Sequence, residues 1–406
     1  MKKINFAVIF GAEQNYFYDT LISLYVDAQR YLSSIGMDSQ SFLKRSEKEV
    51  NILGIDFRWL RKKDSYQRAL LVTPDLKIKN IDFGKPLSLD AIWILHLPTE
   101  GEKLLHQKLS SFFEETSVFQ INPYLASKRV DDKFYTYKLW SFSNLPLPST
   151  ILISKGTSYR EIKAKVLRFL KKLRKKRETI LYLQPNKGTE GKNTFRIKFN
   201  GASFDNAEKE MKEKISPLID NLLKEDDVIC REERGNLFYF KKDERGKGLR
   251  RFVLRVNVGY NGKNFTSESG FAQVAKDDKS FITSFEKGGE IKGINEVLSN
   301  LYFLEDGKSS RFIPSHFDIE RMKKVAELAA FSLNKGLKKR ESLSFVGLDL
   351  LLEVGEKRNL VVVPLEANPR PAGLNKAEEI QGVSHKSPPP KITTVLFELI
   401  LRCGNL

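Results

Sequence analysis

Oxygen-bearing side chains cluster at the ends of two neighbouring apolar segments near the C-terminus of the 406-residue chain. Asp349 lies in the apolar run that follows Gly347, whereas Glu366 and Asn368 end the next run. The polar stretch 355–359 between them predicts a turn, so we expect the two runs to form a hairpin. Glu366 and Asn368 are two residues apart and would share one face of a strand. Hard oxygen ligands on one face suit Mg²⁺, which leaves coordination positions open for phosphate.

The segment after Asn368 favours a functional site over the alternative, an exposed hairpin with solvated carboxylates. The chain changes abruptly there from an apolar run into the proline- and glycine-containing stretch 369–373. Sites are often built on loops at strand ends. Arg370 lies in this loop, and its planar guanidinium could hold a substrate carboxylate or an acyl phosphate.

This pattern resembles the C-terminal metal motif of the ATP-grasp superfamily. In that family, a Gly-hydrophobic-Asp strand and a Glu-x-Asn strand bind the Mg²⁺ ions that bridge the phosphates of ATP. Asp349, Glu366 and Asn368 match the motif residue for residue. The resemblance implies further motifs upstream in a fixed order, and the chain has counterparts between residues 119 and 375.

The first counterpart is an asparagine followed by an aspartate–lysine pair. Asn122 follows an apolar run, and Asp132-Lys133 precedes the helix-like run 134–140. The resemblance implies that Lys133 reaches the nucleotide phosphates. The alternative is that Lys133 is one of many surface lysines.

The second counterpart is a glycine-containing loop after the apolar run 179–183. Such a loop lets backbone N–H groups approach phosphate closely. The family has a lysine before the proline of this segment, and the present chain has Gln184 there. Either Lys187 or Lys192 replaces that lysine, or nucleotide binding is weaker, or this segment does not align with the family motif. The nucleotide contacts implied for this segment are Gln184, Lys187, Gly188, Thr189 and Gly191.

Two further counterparts concern acidic and basic residues in predicted strands. The family has a strand ending in a glutamate near the adenine and ribose, and either Glu232 or Glu233 fills that position. An arginine in the strand 249–256, best matched by Arg251, is implied to stabilise the transferred phosphoryl group. The alternative is an arginine on a solvated strand face. The resemblance thus assigns catalytic roles to Arg251 and Arg370.

The order of predicted elements agrees with an α/β and α+β chain of the ATP-grasp fold. Strand-like and helix-like runs alternate in residues 1–118, which predicts a parallel sheet flanked by helices. The resemblance makes this an N-terminal α/β domain that precedes two lobes sandwiching ATP. We expect a small lobe over residues 119–200 and a large lobe with the metal site over residues 201–406.

Composition narrows the protein class. Hydrophobic residues make up 41% and charged residues 30% of the chain, which excludes a disordered chain. No apolar run is long enough to span a bilayer. Two cysteines exclude a disulfide framework and indicate a reducing cytoplasm. Part of the net charge of +18 lies on a predicted amphipathic helix over residues 161–177. Its basic face is either solvated or binds an acidic partner or nucleic acid.

The resemblance implies an ATP-dependent and Mg²⁺-dependent ligase, with Mn²⁺ as an alternative metal. It would join a small-molecule carboxylate to an amine (or a thiol) through an acyl phosphate and release ADP and phosphate. We expect no membrane partner, disfavour nucleic acid as a partner, and leave a homodimer open. Two alternatives remain: a kinase that phosphorylates a hydroxyl of an anionic small molecule, and a nucleotide-binding protein with degraded catalysis, which Gln184 motivates.

Overall fold

Four β-sheets and the helices packed on them form the described part of the chain. The structure is a computed structural model, and it describes residues 2–10, 18, 20–26, 28–29, 48–60, 65–95, 100–173, 178–188, 193–200, 209, 211–243, 246–261, 263–305, 308–370 and 400. No helix within these ranges is long and apolar enough to cross a membrane.

The first sheet contains the predicted parallel strands and two antiparallel strands. Its strands are β1 (Lys2–Phe10), β2 (Lys48–Asp56), β3 (Ser65–Val72), β4 (Ile78–Ser88), β5 (Ala91–Ile94) and β6 (Phe119–Ile121), in the order β4-β3-β2-β1-β5-β6. Strands β2, β1, β5 and β6 are parallel, as predicted, and α1 (Glu100–Glu114) connects β5 to β6. Strands β3 and β4 are antiparallel, so the sheet is mixed. A short turn joins them, and antiparallel strands need no crossover helix.

The second sheet is antiparallel and small. Its strands are β7 (Thr150–Ile153), β8 (Glu178–Pro185), β9 (Phe195–Asn200) and β10 (Val228–Glu232), in the order β7-β10-β8-β9. Helices α4 (Tyr159–Leu173) and α5 (Ser216–Glu225) cover one face, and a π-helical turn (Met211–Ile215) precedes α5. Strand β10 lies beyond residue 200, and β6 belongs to the first sheet. The sheets therefore do not divide at the predicted boundaries of 118 and 200.

The sequence of helix α4 explains why one side of the helix packs against the second sheet and the other side is exposed. Ile162, Val166 and Leu170 recur at helical spacing and are buried against the sheet. The basic side chains of Lys165, Arg168, Lys171 and Lys172 are exposed.

The remaining sheets form the large lobe. One has the order β15-β14-β13-β18-β19, and the other has the order β12-β11-β16-β17. Helix α7 (His316–Leu333) begins at a Ser315–Asp318 capping box and packs on one face of the five-stranded sheet. The strands are β11 (Leu237–Asp243), β12 (Gly246–Arg250), β13 (Phe252–Tyr260), β14 (Phe265–Val274), β15 (Glu290–Lys292), β16 (Leu301–Glu305), β17 (Lys308–Phe312), β18 (Phe345–Val354) and β19 (Leu360–Asn368).

Several short helices and turns connect these strands. Helix α6 (Ile294–Ser299) precedes β16, and 3₁₀ turns lie at Phe57–Trp59, Phe285–Lys287 and Lys339–Glu341. In chain order, α2 (Tyr124–Asp131) and α3 (Lys133–Ser141) follow the last strand of the first sheet and precede the first strand of the second. The indole Nε1 of Trp140 in α3 donates to the Ala329 carbonyl of α7 at 3.0 Å, which fixes α3 against the large lobe.

Asn122 joins the N-terminal sheet to the large lobe. It follows β6 with a φ of +52° and is 2% exposed. Its Oδ1 accepts hydrogen bonds from the backbone N–H groups of Ser344 at 2.9 Å and Phe345 at 3.1 Å. Its Nδ2 donates to the carbonyls of Phe345 and Pro369. One side chain therefore satisfies four backbone groups at the start of β18 and the end of β19.

We expect Asn122→Ala to lower the free energy of unfolding by about 3 kcal/mol or more, because it leaves buried backbone groups without partners. Urea-induced unfolding would measure the change. Asn144→Ala is the matched control, since Asn144 has a φ of +54° but is exposed. The control isolates the cost of alanine in the left-handed region, about 1 kcal/mol. Equal losses in the two variants would contradict a role for the Asn122 amide.

Candidate active site

Three charged side chains lie next to one another across β13, β18 and β19. Arg255 is directly opposite Asp349, and Asp349 is directly opposite Glu366. Directly opposed residues share a face of a sheet. Their strand neighbours Leu254 and Leu348 pack in the core on the α7 side, so the three charged groups lie on the other face. We call Arg255, Asp349 and Glu366 the charged row.

Ion pairs neutralise both carboxylates of the charged row. The Arg255 guanidinium donates to Asp349 through Nε and through Nη2, the latter at 3.1 Å from Oδ2. The Nζ of Lys133 lies 3.0 Å from Oε1 of Glu366. Burial raises the pKa of the Asp349 carboxyl, and the neighbouring Arg255 opposes that rise. The predicted metal residues and Lys133 are therefore in one place.

The glycine-containing loop docks on the first turn of α3. The backbone N–H of Lys133 donates to the Asn186 carbonyl at 3.2 Å, and its Nζ donates to the Gly188 carbonyl. The Oδ1 of Asn186 accepts from the backbone N–H of Phe134 at 2.9 Å. Lys133 is 6% exposed, so it is not one of the many surface lysines. Its ammonium lies between the loop and the charged row.

The other predicted residues of this loop are placed differently. Gln184 is directly opposite Ile229 of β10, on the face of the small sheet that α4 and α5 leave uncovered. Lys187 is exposed, and its backbone N–H donates to Asp226 at 2.6 Å. The predicted contacts Thr189 and Gly191, and the alternative Lys192, lie outside the described residues.

Glu233 and Arg251 bind each other. A Glu233 oxygen lies 3.1 Å from Arg251 Nη2 and accepts from Tyr182 Oη at 3.0 Å and Arg196 Nε at 2.8 Å. Glu232 instead accepts from the backbone N–H of Ser149 at 2.9 Å. The single strand predicted over 249–256 is broken at Arg251, where the chain passes from one sheet of the large lobe to the other.

Arg370 is held by an acidic residue of α2. Its Nη2 donates to both carboxylate oxygens of Asp131, at 2.6 and 2.7 Å, and the arginine side chain is 6% exposed. Its Nη1 is buried and has no hydrogen-bond partner within the part of the chain that the structure describes. Arg370 follows Asn368 by two residues, so this ion pair anchors the chain directly after the predicted metal ligands.

Sequence reasoning missed two arginines near the carboxylates. Arg255 belongs to the charged row, and Arg231 of β10 donates from Nη1 to the Leu365 carbonyl of β19 at 3.0 Å. Burial lowers the pKa of Arg231 to about 10, and Glu366 opposes that shift, so Arg231 remains charged at neutral pH. The available signal was an arginine inside an otherwise apolar strand, because such a charge needs a buried partner.

The donor set fits a divalent cation that prefers oxygen ligands. Asp349 and Glu366 are directly opposed, and the amide of Asn368 lies two residues farther along β19. Within the described ranges, no three His, Cys, Asp or Glu side chains form a potential metal cluster. Asn368 would therefore supply the third protein ligand, with phosphate oxygens completing a Mg²⁺ sphere. Lys133 and Arg255 lie beside these two carboxylates.

Comparisons with known proteins identify the fold. No family model matches the sequence, and no curated protein matches it. Among solved structures, the VanG D-Ala:D-Ser ligase from Enterococcus faecalis is 13% identical, with a TM-score of 0.54 and coverage of 99% of this chain and 100% of that chain.

Two other solved structures give the same result. D-alanyl-alanine synthetase A from Vibrio cholerae is 11% identical, with a TM-score of 0.52 and 99% of each chain covered. D-cycloserine synthetase is 14% identical, with a TM-score of 0.50 and coverage of 98% of this chain and 99% of that chain. Similarity at this level of identity concerns the fold. The ATP-grasp fold that the resemblance implies is confirmed, and the chain has the fold of these ligases.

Proposed function

We propose that this protein is an ATP-dependent, Mg²⁺-dependent ligase that joins a carboxylate to an amine (or thiol) through an acyl phosphate. The products would include ADP and phosphate. The charged row facing Lys133 carries the proposal, because it combines oxygen ligands for a metal with cations for phosphate. The fold supports it, since the similar solved structures include ligases that join amino acids.

The charges near the row suit a polyphosphate. Lys133, Arg231 and Arg255 are three cations, and Asp349 and Glu366 are two anions, so the group has an excess of one positive charge. Asp349, Glu366 and Asn368 would hold Mg²⁺, which supplies charge neutralisation at the β- and γ-phosphate oxygens. We assign Arg255, in place of Arg251, to the transferred phosphoryl group, because Arg255 belongs to the charged row, whereas the Arg251 guanidinium lies beside Glu233.

The order of contacts along β18 gives the proposed direction of the nucleotide. Near one end, Glu353 binds Arg234 of the linker 233–236 between β10 and β11. Asp349 occupies the middle of the strand. At the other end, Phe345 packs edge-on against Trp93 of the first sheet, with ring centroids 5.6 Å apart. We place the adenine towards the linker, the phosphates at the charged row, and the carboxylate substrate towards the N-terminal sheet.

The other nucleotide contacts follow from this direction. Lys133 and the loop residues Lys187, Gly188, Thr189 and Gly191 would lie along the phosphates. Gln184, Glu232 and Glu233 would lie nearer the adenosine. Gln184 can donate and accept hydrogen bonds but brings no charge, so Lys133, Arg231 and Arg255 would supply the positive charge.

In the proposed reaction, the substrate carboxylate attacks the γ-phosphorus while the bond to the β-phosphate oxygen breaks, and ADP leaves. The amine then adds to the acyl carbon, loses a proton and displaces phosphate. Phosphoryl transfer relies mainly on positioning and electrostatics, so no nucleophilic side chain is needed. Arg255 and Lys133 would stabilise the negative charge of the phosphoryl group while it is transferred at the charged row.

A kinase is the second candidate, and the positive excess at the charged row favours it. One assay separates the candidates: incubate the protein with ATP, Mg²⁺, pooled amino acids and small carboxylic acids, then follow phosphate and product masses. A ligase gives acid-dependent free phosphate and a condensed product. A kinase gives a phosphorylated product without free phosphate. A nucleotide-binding protein with degraded catalysis gives neither product.

We expect Glu366→Gln to abolish turnover with the fold retained, because the substitution keeps the shape but removes a negative charge from the metal ligands. Steady-state assays over a range of Mg²⁺ concentrations and a thermal unfolding scan would measure both properties. Glu356→Gln, in the exposed turn of the same hairpin, is the matched control and should behave as wild type. Near-normal activity of a folded Glu366→Gln protein would remove Glu366 from the metal site.

Substitutions of the two arginines test the reassignment. We expect Arg255→Met to lower kcat by about 10²-fold or more, as loss of a preorganised charge at a developing anion does. Arg251→Met should change kcat by less than about 10-fold, because Arg251 acts through Glu233. Steady-state kinetics with ATP and the acid varied separately would measure both effects. A larger kcat loss in Arg251→Met than in Arg255→Met would restore the role first assigned to Arg251.

A further inference from the structure

Asn257 of β13 is a buried amide that the described contacts leave unused. Its exposed fraction is 0%, and neither Oδ1 nor Nδ2 has a hydrogen-bond partner among the described residues. Val256 and Val258, its neighbours in the strand, pack in the core on the α7 side. Asn257 therefore belongs to the opposite face, which also carries Arg255 two residues earlier.

The strand register places Asn257 in a second row beside the charged row. Asn257 is directly opposite Gly347, and Gly347 is directly opposite the proposed metal ligand Asn368. Adjacent strands are roughly 4.8 Å apart, so the two asparagine backbones are about 10 Å apart across Gly347. Two residues of strand separate this row from the charged row, about 7 Å. We call Asn257, Gly347 and Asn368 the amide row.

The amide row lies where the proposed reaction requires the acid. Along β18, Gly347 stands between Asp349 of the charged row and Phe345, which contacts the N-terminal sheet through Trp93. A carboxylate must come within about 3–3.5 Å of the phosphorus that it attacks. With the two rows about 7 Å apart, an acid above Gly347 that extends towards the charged row would bring its carboxylate to a γ-phosphate held there.

Burial of an unpaired amide lowers the free energy of unfolding. A residue that only filled space in the core would therefore be expected to be apolar, so an asparagine at this position indicates a function. An unpaired buried polar group destabilises a fold, whereas an apolar side chain of similar volume would not. Buried polar groups without partners are uncommon in folded proteins. Arg370 shows the same feature two residues beyond Asn368, since its Nη2 binds Asp131 while its buried Nη1 has no partner in the described ranges.

We propose that Asn257 is a substrate-binding residue that contacts the carboxylic acid of the proposed ligase reaction. The chemistry of its amide defines the class of acid. Nδ2 can donate to a carboxylate oxygen, but Oδ1 needs a donor, and an ionised carboxylate has none. An acid that carries its own hydrogen-bond donor near the carboxyl group, as amino acids and hydroxy acids do, would pair both atoms of the amide. This inference rests on the proposed function.

The test uses hydroxylamine as the amine, so that any acyl phosphate is captured as a hydroxamate. Wild type would be screened with amino acids, with the hydroxy acids of the same carbon skeletons, and with the unsubstituted acids. We expect donor-bearing acids to be preferred. For the best acid, we expect Asn257→Leu to raise KM, and to reduce the preference over the unsubstituted analogue, by about 10- to 100-fold. ATP affinity should change by less than about 2-fold.

Thermal unfolding distinguishes this role from a structural one. Asn257→Leu should unfold at a higher temperature than wild type, because it removes unpaired buried groups. Tyr66→Phe is the matched control: it removes another buried group that has no partner among the described residues, in the N-terminal sheet, and should leave KM unchanged. If Asn257→Leu does not fold, Asn257→Ala, which adds no bulk, is measured in the same way.

The outcomes separate this inference from the proposed function. A wild-type protein that forms hydroxamate, with a folded Asn257 variant whose KM and acid preference match those of Tyr66→Phe, overturns the role of Asn257 alone. A preference of wild type for unsubstituted acids overturns it as well. Absence of hydroxamate with every acid overturns the ligase proposal and this inference together.

Discussion

The register between β13, β18 and β19 is the constraint on which the site depends. Because side chains alternate along a strand, a slip of one residue would move the charged row to the α7 side. Burial of Leu254, Leu348 and Leu350 on that side opposes the slip. The register shifts beyond Asp349, where Leu350 is opposite Pro364 rather than Leu365. The bulged Leu365 offers its carbonyl to Arg231, so this irregularity also links the two lobes.

The charges of the site also join its parts. Lys133 of α3 binds Glu366 of β19, and Arg231 of the small sheet lies near the same carboxylate. Buried charges are tolerated when they are paired, and these pairs cross between elements far apart in sequence. A bound metal and polyphosphate would draw on the same carboxylates and cations. Nucleotide binding at this site would therefore proceed by exchange of partners within a preformed cluster.

Asn122 extends this arrangement to the N-terminal sheet. Its amide holds the start of β18 and the end of β19 next to β6, the last strand of the N-terminal sheet in chain order. The N-terminal sheet, the charged row and the linker at Glu353 thus occupy successive positions along one strand. Because these positions lie along β18, that one strand would define where the nucleotide and the acid of the proposed reaction lie relative to each other.

The sequence by itself determined the features that depend on local spacing. The polar turn 355–359 predicted the β18–β19 hairpin, and the two-residue spacing placed Glu366 and Asn368 on one face, beside Asp349. Tertiary structure decided which distant elements meet. It placed Arg255 rather than Arg251 beside Asp349, because the chain changes sheets at Arg251. It also placed β10 in the small sheet. Periodicity fixes the face of a side chain, but the pairing of Arg255 with Asp349, 94 residues apart in sequence, depends on packing of the whole core.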